Sequence, residues 1–252
     1  MNILFTICGR AGSKGLKSKN ILSFLGEPLP FYSVSIIDLF IKEKKQYIVD
    51  IVLNTDSKEL IHKFQEFNIP IDIIKRVSNL GLDSTPKVAV IESSLSEMQE
   101  RKKKEYDMVV DLDITSPLRT LNDLKELVNK KAISDADVVF SVTESRRNPY
   151  FNMVMRMGDY FERIIKTDYN TRQESPKVYD MNASMYAYSP KFLLEKSGLF
   201  DGNCDVIIMR DTAVLDIDNQ EDYELMELVG KYLMDNDLDY LEIKENIKNI
   251  KR

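Results

Sequence analysis

The feature that most constrains the fold of this chain is the alternation of short apolar runs with longer stretches of helical periodicity. The runs are rich in β-branched residues and cover residues 3–8, 49–55, 71–75, 107–114 and 137–143. Between them, apolar residues recur at intervals of three and four, the period of an amphipathic helix. This order predicts an α/β fold with a doubly wound, mostly parallel, Rossmann-like sheet.

Local signals place the helix starts and one interruption. Ser57, Pro86 and Thr120 each precede a helical stretch, and Asp123 follows Thr120 at the spacing of a capping box. After Thr143 the alternation stops. Residues 144–188 are rich in turn formers and alternating apolar and polar residues, which predicts an inserted hairpin lobe before the sheet resumes at residues 185–189.

Composition excludes several classes of protein. The 252 residues suffice for one sizeable core, and the formal net charge of -6 argues against general binding of nucleic acid. No apolar run approaches the roughly 20 residues that span a bilayer. The start of the chain has no basic leader, so we expect a cytoplasmic protein without a membrane partner. Cys8 and Cys204 form no CxxC motif and are expected to be reduced core thiols.

The first loop is flexible and cationic. Residues 8–20 read CGRAGSKGLKSKN, with three glycines, four cations and no acid. Glycines let backbone N–H groups approach phosphate oxygens, and the cations neutralise them. The loop matches neither the Walker A pattern nor GxGxxG, so a solvated turn is the alternative interpretation. Ligands of parallel α/β sheets bind at the carboxyl ends of the strands, where this loop and loops 54–57, 76–85 and 113–119 meet.

Two acidic pairs stand at predicted strand ends. Asp111 and Asp113 end one apolar run, and Asp216 and Asp218 follow another and precede a helix. Residues two apart share a face of a strand, so each pair could present oxygen ligands to a divalent cation such as Mg²⁺. A single aspartate at such a position is more often a cap. Both pairs, with a cationic loop, favour a site for a nucleotide and Mg²⁺.

These segments together resemble the acylneuraminate cytidylyltransferase family, the CMP-sialic acid synthetases. GRAGSKGLKSKN is similar to the family's ARGGSKG-x-x-x-KN signature, NTDSKEL to its STDS turn, ITSPLRT to its TSPLRT segment, and LDIDNQEDYEL to its IDID motif. The resemblance spans nearly the whole chain. It implies a nucleotidyltransferase that transfers CMP from CTP to an acidic nine-carbon (nonulosonic) sugar and releases pyrophosphate.

The resemblance also implies roles for individual residues, in a homodimer whose inserted lobe forms the interface. For catalysis these are Arg10, Lys19, Asp216 and Asp218. For the nucleotide they are Arg10, Gly12, Ser13, Lys14, Lys19, Asn20, Arg76 and Thr85. For the sugar they are Asp113, Arg172, Gln173, Asn182, Tyr186 and Phe200, with Phe200 lent by the neighbouring subunit. For Mg²⁺ or another divalent cation they are Asp113, Asp216 and Asp218.

Two departures from the family pattern matter. Ala11 stands where the family has glycine, which would cost on the order of 1 kcal/mol if that position required positive φ. Asp113 stands where the sialic acid branch has glutamine. DLDITSPLR, RRNPYFNMV and YDMNASMY are more similar to the CMP-legionaminic acid synthases, which favours N,N'-diacetyllegionaminic acid as the substrate, with N-acetylneuraminic acid as the alternative.

Two other functions remain open from the sequence. Asp111 and Asp113 could form the DxD of a glycosyltransferase that uses a nucleotide sugar, although such an enzyme would not require a cationic triphosphate loop. A non-catalytic nucleotide-binding module is the alternative of another class. It would bind CTP without turnover.

Overall fold

A computed structural model describes residues 1–12, 16, 18–82, 84–196 and 198–252. The strands are β1 (Asn2–Cys8), β2 (Ser23–Phe24), β3 (Glu27–Pro28), β4 (Ile48–Thr55), β5 (Asp72–Lys75), β6 (Met108–Leu112), β7 (Val138–Glu144), β8 (Val154–Met157), β9 (Tyr160–Arg163), β10 (Tyr179–Tyr188) and β11 (Cys204–Ile208). The α-helices are α1 (Leu29–Glu43), α2 (Lys58–Phe64), α3 (Lys87–Lys102), α4 (Leu121–Ile133), α5 (Pro190–Glu195), α6 (Gln220–Asn236) and α7 (Leu238–Ile250).

The predicted α/β fold is confirmed. Seven strands form the central sheet in the order β11-β7-β10-β6-β1-β4-β5. Every neighbouring pair is parallel except those of β10, which runs antiparallel to β6 and β7. From β1 the chain proceeds to β4 and β5 on one side, then returns to place β6 on the other. The strand order therefore reverses beside β1, and such a switch point opens a crevice at the carboxyl ends of the strands.

Both faces of this sheet are buried, which explains the continuous apolar runs. In β1, Phe5 and Ile7 pack into one core with α1, α4, α6 and α7, whereas Leu4 packs into a second core with α3. Alternate residues of a strand point to opposite faces. A strand covered on both sides can therefore be mostly apolar, as β1 and β6 are.

Side-chain caps begin several helices where the sequence predicts them. Ser57 accepts a hydrogen bond from the Leu60 N–H at the start of α2. Thr120 and Asp123 form a capping box at the start of α4. Pro86 is the residue just before α3. These caps fix the points at which the chain leaves the ends of the strands.

Three local predictions differ from the structure. The sheet resumes at Tyr179, not at residue 185, because β10 is a long strand with an irregular register between Met181 and Tyr186. The apolar run before Asp216 is not a strand but a 3₁₀ turn at Asp211–Val214. Cys204 is exposed and is not a core thiol, because it opens the edge strand β11.

The segment between β7 and β10 carries a two-stranded hairpin, β8 and β9, apart from the central sheet. Its apolar side chains are exposed: Val154, Met155, Met157, Tyr160 and Phe161. Among the residues that the structure describes, no helix has the length and apolar character needed to cross a membrane.

Candidate active site

A cleft of about 290 Å³ opens at the carboxyl ends of the strands beside β1. The loops that follow β1, β5 and β6, the start of α3 and the segment before α6 all contribute to it. Its lining includes Arg10, Gly12, Lys19, Asn20, Arg76, Thr85, Lys87, Asp113, Thr115 and Asp216. The structure thus brings together residues from four separate loops, as expected for a switch-point site.

One wall of the cleft is cationic. Arg76 donates two hydrogen bonds to Asn54, from Nε to Oδ1 at 3.0 Å and from Nη2 to the carbonyl oxygen at 2.8 Å. Asn20 donates to the Arg10 carbonyl oxygen at 3.0 Å, which ties the two ends of the first loop. Arg10 and Lys19 line the same cleft, and with Arg76 they are here called the cationic wall. Ser13 and Lys14 lie outside the described residues.

The backbone of the first loop explains Gly9 and Gly12 and also accommodates Ala11. A Cβ on Gly9 would stand 2.6 Å from Leu60 Cδ2, so this turn has no room for a side chain. Gly12 has a φ of +78°, a conformation that favours glycine. Ala11 does not have positive φ, and its N–H donates to Asp56 Oδ1 at 2.6 Å. Alanine at position 11 is therefore compatible with the loop.

Carboxylates line the same cleft and are here called the acidic wall; Asp113 is one of them. Its Oδ1 accepts hydrogen bonds from the Thr115 N–H at 2.9 Å and hydroxyl at 2.8 Å. Its Oδ2 lies 2.6 Å from Lys87 Nζ. Burial by itself would raise the pKa of Asp113, but Lys87 and the hydrogen bonds from Thr115 outweigh it and hold the pKa well below its usual value. Asp113 is therefore ionised and fixed in orientation.

Lys87 also binds Asp111, at 2.7 Å from Nζ to Oδ2. Asp111 is fully buried, and its Oδ1 accepts a hydrogen bond from the Thr6 hydroxyl at 2.7 Å. Loss of water around Lys87 would lower its pKa, but the two carboxylates hold that pKa well above its usual value. The sequence did not single out Lys87, because a lysine at the start of a helix looks like a solvated side chain.

The burial of Asp111 corrects one interpretation of the sequence. Asp111 and Asp113 share a side of β6, as their spacing predicts, but only Asp113 reaches the cleft. Asp111 is enclosed beneath it against Thr6 and Lys87. A glycosyltransferase DxD that uses both carboxylates as open ligands does not fit this arrangement.

Asp216 completes the acidic wall. The Ile217 N–H donates to the Thr115 carbonyl oxygen at 3.3 Å, which holds this segment beside the end of β6. Burial and the nearby carboxylate of Asp113 raise the pKa of Asp216. Its Oδ1 is buried and accepts no hydrogen bond from any residue that the structure describes. A buried oxygen without a donor is an available ligand position.

The structure does not bring Asp218 into the cleft. Its side chain is 74% exposed, and it pairs with Lys19 at 2.8 Å. Asp218 also does not cap α6, because Asn219 and Asp222 form the capping box there. The contact with Lys19 connects Asp218 to the lining of the cleft.

Arg119 is a further residue whose place the sequence did not indicate. It is almost fully buried and donates to the carbonyl oxygens of Ser184 at 2.8 Å and Asp113 at 2.7 Å. Burial lowers the pKa of Arg119 to about 10, against the opposing effect of the aspartates. Arg119 therefore ties the backbone of Asp113 to β10.

The residues expected at the sugar lie in three different places. Arg172 and Gln173 line a separate cavity of about 280 Å³ next to the hairpin. Asn182 is buried and accepts a hydrogen bond from the Ser141 hydroxyl at 2.6 Å, so it supports β10 and does not line the cleft. Tyr186 lies near the acidic wall, with its ring centroid 5.8 Å from Lys87 Nζ.

Phe200 is 70% exposed and stands beyond Tyr186 along the sheet. Both rings contact Phe140, at centroid distances of 6.0 Å for Tyr186 and 6.2 Å for Phe200. The side chain of Phe200 is thus available to a neighbouring molecule. Within this protomer it lies outside the lining of the cleft.

Among the residues that the structure describes, Asp113 and Asp216 line the cleft with carboxylates that could hold a divalent cation. No group of three or more histidine, cysteine, aspartate or glutamate side chains in the described part of the chain is arranged for a metal. Mg²⁺ is commonly held by one or two carboxylates together with phosphates of a substrate. The unpartnered oxygen of Asp216 fits such a shared site.

A switch-point cleft with one cationic and one acidic wall defines the class as α/β nucleotidyltransferases. A match to one protein family narrows the assignment within that class. Residues 4–247 match the family named Cytidylyltransferase. The chain belongs to this family, whose members are nucleotidyltransferases that use CTP.

Known proteins support the assignment. The flagellin modification protein B of Campylobacter coli is 32% identical, over 91% of this chain and 95% of that protein. The CMP-N,N'-diacetyllegionaminic acid synthase of Campylobacter jejuni is 33% identical, over 90% of this chain and 94% of that protein. A CMP:2-keto-3-deoxy-manno-octonic acid synthetase, solved with CTP, has a TM-score of 0.64 at 14% identity and covers 92% of this chain and 99% of its own. This last likeness shows the fold.

Proposed function

We propose that this protein transfers CMP from CTP to a nonulosonic acid, with N,N'-diacetyllegionaminic acid as the substrate, and releases pyrophosphate. One observation carries the proposal: Arg10, Lys19 and Arg76 line one cleft together with Asp113 and Asp216. A nucleoside triphosphate and its metal require these two kinds of charge together. The 33% identity to a synthase named for the diacetyllegionaminic acid product supports the choice of sugar.

In this proposal the cationic wall binds CTP. Arg10, Lys19 and the backbone at Gly12 hold the triphosphate, while Asn20, Arg76 and Thr85 contact the nucleoside. The anomeric C2 hydroxyl of the sugar releases its proton to water and attacks the α-phosphorus. The bond from the α-phosphorus to the oxygen shared with the β-phosphate breaks, and pyrophosphate leaves. Arg10 and Lys19 then stabilise the negative charge that develops on the leaving pyrophosphate.

Asp113 and Asp216 would hold Mg²⁺. When bound there, the cation would supply positive charge beside the reacting phosphate and acidify a coordinated oxygen. The fixed orientation of Asp113, set by Thr115 and Lys87, places one carboxylate before the substrates arrive. Asp218 acts from outside the cleft in this account, as the partner that orients Lys19.

The sugar would lie on the side of Tyr186 and Asp113, with Arg172 as the partner of its carboxylate. Arg172 lies in a separate cavity of this protomer, and Phe200 lies outside the cleft. A homodimer accounts for both, because a second copy would cover the apolar hairpin and bring further side chains to the sugar. An exposed apolar surface of this kind is typical of an interface.

A substrate panel tests the proposal. The protein is incubated with CTP, Mg²⁺ and one acid sugar, and pyrophosphate is measured. N,N'-diacetyllegionaminic acid should give the highest kcat/KM, above N-acetylneuraminic acid and 2-keto-3-deoxy-manno-octonic acid. A preference for N-acetylneuraminic acid would establish the alternative substrate. Tight CTP binding without pyrophosphate from any sugar would establish a non-catalytic nucleotide-binding module.

The homodimer has its own test. Light scattering after size-exclusion chromatography should give twice the mass of the chain. Phe161→Asp, in the hairpin, should give a folded monomer, and Ile133→Asp should remain dimeric, because Ile133 is also exposed but lies at the end of α4. A monomeric parent protein would refute the dimer.

A further inference from the structure

Lys87 occupies an unusual position for a lysine. It is the first residue of α3, and the first turn of this helix contains no acidic residue. The helix dipole places partial positive charge at this end, so a cation there is locally unfavourable. Its position is set instead by two carboxylates, with Nζ 2.7 Å from Asp111 Oδ2 and 2.6 Å from Asp113 Oδ2.

The two carboxylates have different surroundings. Asp111 is fully buried; its Oδ1 accepts a hydrogen bond from Thr6, and its Oδ2 contacts Lys87 as an ion pair and accepts no hydrogen bond from the described residues. Asp113 lines the cleft, and its Oδ1 is already bound by Thr115. The Oδ2 of Asp113 is therefore the oxygen left for a ligand, and Lys87 occupies it.

Asp216 belongs to the same acidic wall. In contrast to both oxygens of Asp113, its Oδ1 has no hydrogen-bond donor among the described residues. A divalent cation held by Asp113 and Asp216 would approach the Lys87 ammonium closely. Like charges at such a short separation repel each other. Lys87 and the metal thus compete for one carboxylate.

We propose that Lys87 is a resident counter-cation that occupies the cleft-facing oxygen of Asp113 and so opposes binding of a divalent cation before the nucleoside triphosphate is present. The triphosphate adds negative charge beside Lys87 and offers its ammonium other oxygen partners, while Asp111 keeps the side chain anchored. Metal and nucleotide then bind together. The inference rests on the proposed function for the identity of the nucleotide and of the metal site.

The same arrangement assigns separate roles to the aspartates of the first pair. Asp111 holds Lys87 in place, and Asp113 is the carboxylate that Lys87 controls. Lys87 follows directly from the loop that carries Arg76 and Thr85, and Thr85 is tied within it by a 3.1 Å hydrogen bond to the Asn79 carbonyl oxygen. Lys87 is therefore a positioning residue that connects the nucleotide loop to the acidic wall.

Binding of Mn²⁺ in the absence of nucleotide and sugar tests this role. Free Mn²⁺ is measured by electron paramagnetic resonance during titration of the parent protein and of the double variant Lys87→Met/Asp111→Asn. This variant removes one positive and one negative charge, so it frees Asp113 without changing the total charge of the wall. We expect it to bind Mn²⁺ at least about tenfold more tightly than the parent.

Two control variants test whether a gain in Mn²⁺ affinity comes from the release of Asp113 and not from a general effect of substitution. Lys87→Arg keeps the cation and should bind Mn²⁺ within about twofold of the parent. Addition of Asp216→Asn to the double variant should abolish the gain. Circular dichroism establishes folding, and Lys87→Gln/Asp111→Asn, which also removes one charge of each sign, replaces the double variant if that variant does not fold. It should show the same gain.

An affinity of the folded variant within about twofold of the parent would overturn the role of Lys87. Because the titration contains no CTP or sugar, its outcome is independent of turnover. A parent protein that makes pyrophosphate, with no gain in Mn²⁺ affinity in the variant, refutes this inference alone. A parent protein that makes no pyrophosphate with any acid sugar refutes the proposed function.

Discussion

The two acidic pairs, Asp111 with Asp113 and Asp216 with Asp218, have the same spacing but opposite arrangements. In the first pair the second aspartate lines the cleft and the first is buried beneath it. In the second pair the first aspartate lines the cleft and the second is exposed. Each pair therefore contributes one carboxylate to the cleft. The other aspartate of each pair binds a lysine: Asp111 binds Lys87, and Asp218 binds Lys19.

The difference follows from the backbone at each pair. Asp111 and Asp113 belong to a central strand and its end, so the residue farther back is covered by α3. Asp216 and Asp218 follow a 3₁₀ turn at the surface, so the residue farther along reaches solvent. A DxD spacing alone does not determine which carboxylate is available.

The largest expected effect is on activity, and it distinguishes Asp216 from Asp218. Asp216→Asn should lower kcat/KM for CTP by about 100- to 1,000-fold, because it removes a charged group from the cleft. Asp218→Asn should lower it by less than about tenfold, since Asp218 is exposed and pairs with Lys19 at the surface. Pyrophosphate release measures both. A larger loss for Asp218→Asn than for Asp216→Asn would show that the exposed carboxylate is the functional one.

The second effect concerns stability in the first pair. Lys87→Met leaves Asp111 buried and unpaired and should lower the free energy of unfolding by about 3 kcal/mol. The double variant Lys87→Met/Asp111→Asn should recover most of this loss, because it removes both charges. Urea denaturation at pH 7 gives the two values. Equal losses in the two variants would indicate that Asp111 is not the carboxylate that depends on Lys87.

Dependence of stability on pH compares the two cleft carboxylates. The pKa of Asp113 is lowered in the folded protein, so Asp113 stabilises the fold above the unfolded-state pKa of about 3.9, and this contribution is lost as the pH falls. The pKa of Asp216 is raised, so its ionisation costs stability as the pH rises above that value. The two aspartates therefore have opposite signs.

At pH 7, Asp113→Asn should lower the free energy of unfolding by on the order of 2 kcal/mol. Asp216→Asn should raise it by on the order of 1 kcal/mol, because the asparagine carries no charge to bury. The Asp113 difference should shrink in urea titrations as the pH falls below about 4. The Asp216 difference should already shrink as the pH falls towards about 4, because the pKa of Asp216 is raised in the folded protein. Two changes of the same sign at pH 7 would contradict the assigned environments.

The smallest expected effect is on the exposed ion pair. Asp218→Asn should change the free energy of unfolding by less than about 1 kcal/mol, because its partner contact with Lys19 lies at the surface. Lys19→Met should lower stability as little, but should raise the KM for CTP. A loss of stability in Asp218→Asn comparable to that of Lys87→Met would remove the distinction between the pairs.

The fold could be predicted from the sequence because the strands are buried on both faces. Such strands are apolar runs, and the helical stretches between them are easy to recognise. It also indicates the cleft, since four loops with charged residues follow strands that must end at one edge. The positive φ at Gly12 lies within the glycine-rich loop that the sequence singled out. These features depend on local pattern and on general rules of sheet topology.

The partners of the charged groups could not be predicted in the same way. Lys87 lies 24 residues from Asp111 in the sequence and meets it only because α3 packs on β6. Arg119 belongs to a recognisable segment, but its contact with Ser184 requires the antiparallel strand β10. The apolar run before Asp216 suggested a strand, and the structure forms a turn there because the run does not pair with the sheet.

Crystals grown with CTP and Mn²⁺ test most directly the claim that each pair contributes one carboxylate. An anomalous difference peak should lie about 2.1 Å from an oxygen of Asp113 and an oxygen of Asp216, a distance typical of small divalent cations. Lys87 should then contact Asp111 and the phosphates. A peak bound to Asp111 or to Asp218 instead would contradict this assignment.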